Sequence, residues 1–171
     1  ACGEAALIVK ETISLKKLQP HQLYLGISNP LPFEMIDRWA KEVDGKILVI
    51  EDDKYISAFV SASLQNSGYD VLIGKNATEG MFLFSSHRPD IVLLDLGLPD
   101  RDGTEVISEI RAMADTPIIV VSARGQENEK ITALDAGAYD YVTKPFNMGE
   151  LAARIRVAKR LKDKLSSSPA L

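Results

Sequence analysis

The most constraining feature of this chain is the alternation of short apolar runs with segments of helical period from residue 46 onward. Five runs, KILVI, YDVLI, IVLLD, PIIVV and YDYVT, begin at positions 46, 69, 91, 117 and 139. Runs such as IVLL and IIVV do not alternate with polar residues, which is typical of strands covered on both faces of a parallel sheet. Strict repetition of strand and helix predicts right-handed crossovers with helices on both faces.

Five such repeats fit a flavodoxin-like α/β fold, a doubly wound (βα)5 parallel sheet with strand order 2-1-3-4-5, whose functional site lies at the carboxyl ends of the strands. Gly68 and Gly137 stand where two of the helices are expected to end. Helical spacing assigns to the buried faces, among others, Phe59 in the first helix, Ile131 and Leu134 in the fourth, and Leu161 in the last.

Residues 1–44 do not continue the repeat. Their pattern predicts a helix, a strand and a second helix, an α-β-α piece too small to fold readily alone. We interpret it as an N-terminal extension or the remnant of a preceding domain, and no role is assigned to it. The repeated unit covers residues 45–166, and residues 167–171 are expected to form a flexible tail. Because the chain starts at Ala1 without a methionine, it is interpreted as a fragment of a longer protein.

The net charge is -4, but the charged residues are distributed unevenly along the chain. Residues 45–150 contain 9 basic and 17 acidic side chains, whereas residues 151–171 contain 6 basic and 1 acidic. The basic segment has no interleaved aromatic residues, which favours a solvated or protein-binding helix face over a nucleic-acid interface. No apolar run approaches the roughly 20 residues of a membrane span. The single cysteine, Cys2, cannot form an internal disulfide, so a cytoplasmic location is expected.

Acidic residues follow the first and third predicted strands. Glu51, Asp52 and Asp53 follow the first, and Asp95 closes the third. Because neighbouring parallel strands end at the same edge of the sheet, Glu51, Asp52 and Asp95 are expected to share one basin. Two like charges 4 Å apart repel by about 4 kcal/mol at an effective dielectric constant near 20. Oxygen ligands of this kind favour Mg²⁺, although an acidic triplet alone is more often explained by loop and helix-cap residues.

The remaining strand ends contribute a hydroxyl at Ser122 and an ammonium at Lys144. A serine at such a position is usually a cap and a lysine usually a surface residue. Opposite an acidic basin, however, the two residues together indicate a functional site. A carboxylate nucleophile, a metal ion, a hydroxyl donor and a cation are the groups needed to hold a phosphoryl group.

Four segments together resemble the receiver domain of two-component response regulators. They are VIEDD at 49–53, DLGLPDRDG at 95–103, VVSAR at 120–124 and DAGAYDYVTKPF at 135–146. The resemblance extends from Lys46 to near Lys164 and is strongest to the OmpR/PhoB type.

The resemblance implies that Asp95 accepts a phosphoryl group from the phosphohistidine of a sensor histidine kinase or phosphotransfer protein. It also implies a Mg²⁺ site formed by Glu51, Asp52, Asp95 and the backbone carbonyl of Gly97. Asp53 is then expected to cap the first helix rather than bind metal. Such a protein is not an enzyme in the usual sense, since it catalyses at most its own phosphorylation and dephosphorylation.

In the same family, the serine and lysine positions matched by Ser122 and Lys144 bind the phosphoryl oxygens, and a cis peptide before Pro145 directs the lysine inward. Tyr141 matches the switch residue, whose ring swings into the space that Ser122 vacates on phosphorylation. The alternative for Tyr141 is a static aromatic residue of an edge strand.

Phosphorylation adds about -1.5 to -2 charges, and the resemblance implies that the face of the fourth helix, fifth strand and fifth helix responds by repacking. In the OmpR/PhoB type this face forms homodimers through ion pairs. Tyr139 and Leu161 depart from the charged residues usual at their positions, which weakens that expectation. The charged positions of the face are matched by Lys130, Asp135, Asp140, Glu150 and Arg154.

The expected output is control of a partner or of transcription, with nucleic acid contacted only through an output domain outside this sequence. A degenerate receiver that acts as a docking module is the main alternative. A phosphohydrolase of the haloacid-dehalogenase kind would require an acid two residues after Asp95, where Gly97 stands. A dinucleotide-binding enzyme is disfavoured because no GxGxxG follows the first strand.

Overall fold

The computed structural model of the chain describes residues 45–123 and 125–167. The predicted N-terminal extension and all but the first residue of the predicted tail therefore lie outside the described residues. The described strands form one parallel sheet, in which the spatial order is second, first, third, fourth, fifth. The strands are β1 Lys46–Ile50, β2 Asp70–Gly74, β3 Ile91–Leu94, β4 Ile118–Ser122 and β5 Asp140–Thr143. The predicted fold class and strand order are confirmed.

A helix follows each strand, and short polar residues begin most of these helices. Asp53, Asn76 and Asp102 each accept hydrogen bonds from first-turn backbone N–H groups. Gly68 and Gly137 follow two helices with φ angles of 97° and 114°, conformations that favour glycine. The helices are α1 Lys54–Asn66, α2 Ala77–His87, α3 Gly103–Met113, α4 Glu127–Asp135 and α5 Met148–Ser167.

The core lies on both faces of the sheet because successive strand residues point to opposite sides. Leu48 and Ile50 of β1 pack on the face covered by α2, α3 and α4. Ile47 and Val49 pack on the opposite face, which α1 and α5 cover. Each large apolar side chain buried in this way contributes about 1.5–3 kcal/mol of transfer free energy. This two-sided burial explains why the strand sequences are continuously apolar.

Strand register determines which polar residues meet at the end of the sheet. Ile50 pairs with Leu94, so the residues that follow them on adjacent strands, Glu51 and Asp95, emerge side by side. On the other half of the sheet, the N–H of Lys144 donates to the carbonyl of Ser122 at 2.9 Å. The residues predicted to form a basin therefore converge on one edge.

Predicted strand limits agree with the observed ones to within one residue, but several apolar residues assigned to buried helix faces are exposed. Exposed fractions are 58% for Phe59, 50% for Ile131, 39% for Leu134 and 41% for Leu161. Helical spacing alone does not distinguish a stripe facing the core from apolar residues left at its margin. Within the described part of the chain, no helix is both long and apolar enough to cross a bilayer.

Candidate functional site

Three carboxylates meet at the carboxyl ends of β1 and β3. Glu51 and Asp95 are buried, with 4% and 9% of their surface exposed, whereas Asp52 is exposed. One oxygen of each of the three lies within 4.8 Å of the others. An arrangement of two buried acids and one acid open to solvent can bind a hard cation while leaving it accessible from outside.

Lys144 supplies the positive charge of this pocket. Its Nζ donates to Glu51 Oε2 at 2.6 Å and to Asp95 Oδ2 at 3.3 Å. Only 14% of the lysine side chain is exposed. The Lys144–Pro145 peptide bond is cis, in agreement with the sequence-based expectation. One ammonium thus bridges the ends of two strands.

Burial and the neighbouring charges together set the ionisation of the pocket. Burial raises the pKa of the Glu51 carboxyl, and the hydrogen bond from Lys144 only partly opposes this effect. Burial disfavours the charged form of Lys144, but its hydrogen bond to Glu51 and the charge of Asp95 outweigh burial and raise the Lys144 pKa. Both shifts favour proton uptake, that of Glu51 because of burial and that of Lys144 because of the adjacent carboxylates.

Asp53 belongs to the helix start rather than to the acid pocket. Its Oδ1 accepts hydrogen bonds from Tyr55 N at 2.8 Å and Ile56 N at 3.1 Å, which lowers the Asp53 pKa. Its own N–H donates to Glu51 Oε1 at 3.1 Å. The predicted capping role of Asp53 is confirmed, and the cap also helps to orient Glu51.

The loop after β3 folds back onto the Asp95 carboxylate. The N–H of Gly97 donates to Asp95 Oδ1 at 3.1 Å. A Cβ atom added at Gly97 would lie 3.8 Å from both Asp95 carboxylate oxygens, so this residue lies directly beside the pocket. Gly97 is therefore well placed to border anything bound to Asp95.

Ser122 and Tyr141 lie on the adjacent strands β4 and β5. Ser122 is 1% exposed and Tyr141 is 4% exposed. Tyr141 packs in the same core cluster as Ala133 of α4 and Ala138. The tyrosine ring thus lies between the sheet and α4. A switch residue and a static core aromatic would both occupy this position.

The charged face of α4, β5 and α5 is partly organised within one chain. Arg154 donates through Nη1 to Asp140 Oδ2 and through Nη2 to Glu150 Oε1, both at 2.8 Å. Lys130 and Asp135 of α4 are exposed. An intermolecular ion pair at Arg154 would therefore replace these contacts within the chain.

Two features of the site were not predicted from the sequence. An apolar patch formed by Tyr55, Phe59, Pro145 and Phe146 borders Lys144 and lines an open surface depression of about 550 Å³. Helical spacing had placed Phe59 in the core, which concealed this patch. Asp100, in the loop after β3, bonds to the start of α2, and no local sequence signal marks a bond between residues so distant in the chain.

Comparison with known proteins identifies the family. The model of the response regulator receiver domain matches residues 47–156. The chain is 52% identical over 119 residues to the transcriptional regulatory protein KdpE of Staphylococcus aureus, covering 70% of this chain and 52% of that protein. It is 46% identical over 114 residues to the KDP operon transcriptional regulatory protein KdpE of Escherichia coli, covering 67% and 51%. The chain therefore spans about half the length of these curated relatives.

Solved structures agree with the sequence comparison. The Francisella response regulator 1452 receiver domain superposes with a TM-score of 0.65 at 32% identity, covering 68% of this chain and 97% of that one. The BeF3-activated N-terminal receiver domain of Klebsiella pneumoniae RstA gives a TM-score of 0.65 at 30% identity, covering 67% and 98%. Since the family model spans the sheet that carries the acid pocket, this chain belongs to the response regulator receiver domain family of two-component signal transduction.

Proposed function

We propose that the chain is a Mg²⁺-dependent phosphoacceptor in which Asp95 receives a phosphoryl group from the phosphohistidine of a sensor histidine kinase or phosphotransfer protein. The observation that carries this proposal is the double contact of Lys144 with Glu51 and Asp95 in a buried pocket. In the transfer, a carboxylate oxygen of Asp95 bonds to phosphorus, the P–N bond breaks, and its electron pair returns to the imidazole.

The donor set fits Mg²⁺. Glu51, Asp52 and Asp95 offer only carboxylate oxygens, and the carbonyl of Gly97 would add a neutral oxygen. The metal, when bound, would neutralise charge on the transferring phosphoryl oxygens. Under this proposal Lys144 would shift its contact from Glu51 to the phosphoryl group, because a cation held by Glu51 would neutralise that carboxylate. Ser122 donates a hydrogen bond to a phosphoryl oxygen.

The switch is supported by the placement of Ser122 and Tyr141, both buried, on the adjacent strands β4 and β5. Movement of Ser122 toward the new phosphate would open space for the ring and repack α4, β5 and α5. The response is then read by a partner protein or by a second copy of the chain. Homodimerisation would use Lys130, Asp135, Asp140, Glu150 and Arg154, as the family resemblance implies.

A protein donor is supported by the apolar patch beside Lys144. Tyr55 is 75% exposed and Phe59 is 58% exposed, although both are large aromatic residues. Exposed aromatic residues at the entrance of a charged pocket are typical of protein interaction sites. We therefore include docking of the kinase on this patch in the proposed function.

The output proposed is transcription regulation, because the relatives at 52% and 46% identity are named transcriptional regulatory proteins. Nucleic acid would be contacted through an output domain rather than through the residues described. A cytoplasmic location is part of the proposal, since one cysteine requires no oxidising compartment. The chain would catalyse only its own phosphorylation and dephosphorylation. The competing function, a docking module without phosphorylation, would leave Lys144 and the acids as a static ion cluster.

Intact-mass measurement after incubation with a small acyl phosphate and Mg²⁺ separates these functions. The phosphoacceptor predicts a gain of about 80 Da, one phosphoryl group, in the unaltered chain and none in Asp95→Asn. No gain in the unaltered chain, or an equal gain in both, would favour the docking module.

A further inference from the structure

The loop between β3 and α3 carries both Asp95 and Gly97, and its two ends are anchored in different ways. At the start, Leu96 is 2% exposed and its carbonyl accepts a hydrogen bond from Gly103 N at 3.1 Å. At the end, Asp102 caps α3 through Thr104 N at 2.9 Å. Between these anchors Leu98 is half-buried and packs against the core, whereas Gly97, Pro99 and Asp100 are exposed.

Asp100 ties this middle portion to the start of α2. Its Oδ1 accepts a hydrogen bond from Ala77 N, and its Oδ2 accepts from both the N–H and the Oγ1 of Thr78, each at 2.9 Å. These bonds lower the Asp100 pKa to about 2. A carboxylate is favoured there because the helix dipole is positive at its N-terminus.

The first turn of α2 is itself fixed against the strand that precedes Glu51. A Cβ atom at Gly80 of α2 would lie 2.6 Å from Ile50 Cδ1, and one at Gly74 would lie 2.8 Å from the Gly80 Cα. The two glycines thus let the first turn of α2 pack closely against Ile50 of β1 and Gly74 of β2. Asp100 thus connects the phosphoacceptor loop to the same rigid body that carries Glu51.

We propose that Asp100 is a positioning residue for phosphoryl transfer, holding Gly97 beside Asp95, whose own place is fixed by strand pairing, by clamping their loop to α2. The inference rests on the proposed function, since it assigns Asp100 to the support of the metal and phosphoryl site. It differs from a simple helix-cap role, in which Asp100 would stabilise α2 and leave the loop unaffected.

Asn76→Ala provides a matched control. Asn76 also caps α2, accepting from Glu79 N at 2.8 Å, but this side-chain bond is local to the helix. Asp100→Ala removes bonds to the same helix turn and releases the loop as well. Asp100→Asn, which keeps an acceptor oxygen without the charge, serves as the conservative variant if Asp100→Ala does not fold.

The test follows amide signals of the full chain by NMR during Mg²⁺ titration, together with amide exchange without metal and the phosphorylation rate with acetyl phosphate. Asp100→Ala is expected to raise the Mg²⁺ dissociation constant a few-fold, less than the roughly tenfold or more for a group bonded directly to a metal ligand, because Asp100 bonds to Ala77 and Thr78 instead. Exchange at residues 97–101 should accelerate, and phosphorylation should slow. Asn76→Ala should leave all three unchanged, and Asp100→Asn should fall between.

Equal behaviour of the Asp100 and Asn76 variants in Mg²⁺ affinity and loop exchange would overturn the positioning role, even if the unaltered chain is phosphorylated at Asp95. Failure of the unaltered chain to bind Mg²⁺ or to accept a phosphoryl group would instead overturn the proposed function, and the positioning role with it. The unaltered chain therefore distinguishes the two failures.

Discussion

Replacing Lys144 with methionine should reveal how strongly the acid pocket depends on one ammonium. At an effective dielectric constant near 20, contacts at 2.6 and 3.3 Å correspond to a gross attraction of about 11 kcal/mol. Desolvation of the three groups cancels most of this attraction. Removing one partner of a buried pair costs about 3–5 kcal/mol, and the open side of the pocket places Lys144→Met near the lower value.

Lys162→Met is the matched control for this experiment. Lys162 also forms an ion pair, with Asp90 at 2.8 Å, but the side chains are 31% and 43% exposed. Such a pair contributes about 1 kcal/mol or less. Urea unfolding without metal should therefore show a loss about 2 kcal/mol or more larger for Lys144→Met than for Lys162→Met.

The effect of Mg²⁺ on the stability of the two variants provides a second test of this prediction. A divalent cation bound to Glu51, Asp52 and Asp95 would replace the missing ammonium, so the stability loss of Lys144→Met should shrink when Mg²⁺ is added. The loss of Lys162→Met should not change. Equal losses for the two variants without metal, or a Lys144→Met loss that is the same with and without Mg²⁺, would refute the reasoning.

Three further predictions concern docking, pH and packing. Phe59→Ala should slow phosphorylation by a histidine kinase but not by acetyl phosphate, and equal slowing would remove docking as the cause. The pKa of Asp90 is lowered because bonds from Lys162 and a backbone N–H outweigh burial. The stability lost in Asp90→Asn at pH 7, measured by urea unfolding, should therefore begin to shrink as the pH falls below about 4 and vanish only below the lowered pKa of Asp90. Gly103→Ala would place a Cβ 2.6 Å from the backbone of the Asp95 loop, so it should lower the free energy of unfolding by about 1–3 kcal/mol. Gly125→Ala, whose Cβ would lie 3.5 Å from the nearest group, should leave the free energy of unfolding unchanged.

The strands of the sheet were predictable because each is marked by its own short apolar run in the sequence. The run KILVI at Lys46–Ile50 and the run IVLL at Ile91–Leu94 reflect burial on two faces, which only a central parallel strand requires. Convergence of Glu51 and Asp95 then follows from parallel pairing alone. The helix faces were less predictable, since Phe59 and Leu134 have helical spacing but lie where neighbouring elements do not cover them.

Contacts between distant segments account for what the sequence did not predict. Asp100 caps a helix more than twenty positions earlier in the chain, so its role depends on the crossover that brings the β3 loop to α2. The apolar patch around Phe59 depends likewise on Pro145 and Phe146 arriving from the end of β5. Capping by Asp53 was predictable, because an N-cap bond is formed with residues only two or three positions away.

The central claim is that the phosphoryl group resides on Asp95 and not on a neighbouring acid. Borohydride reduces an aspartyl phosphate to homoserine, so reduction of the phosphorylated chain followed by peptide mass mapping identifies the modified carboxyl. The account predicts homoserine at position 95, dependent on Mg²⁺ and on the phosphoryl donor. Homoserine at position 52 or 53, or at no position in a phosphorylated chain, would contradict it.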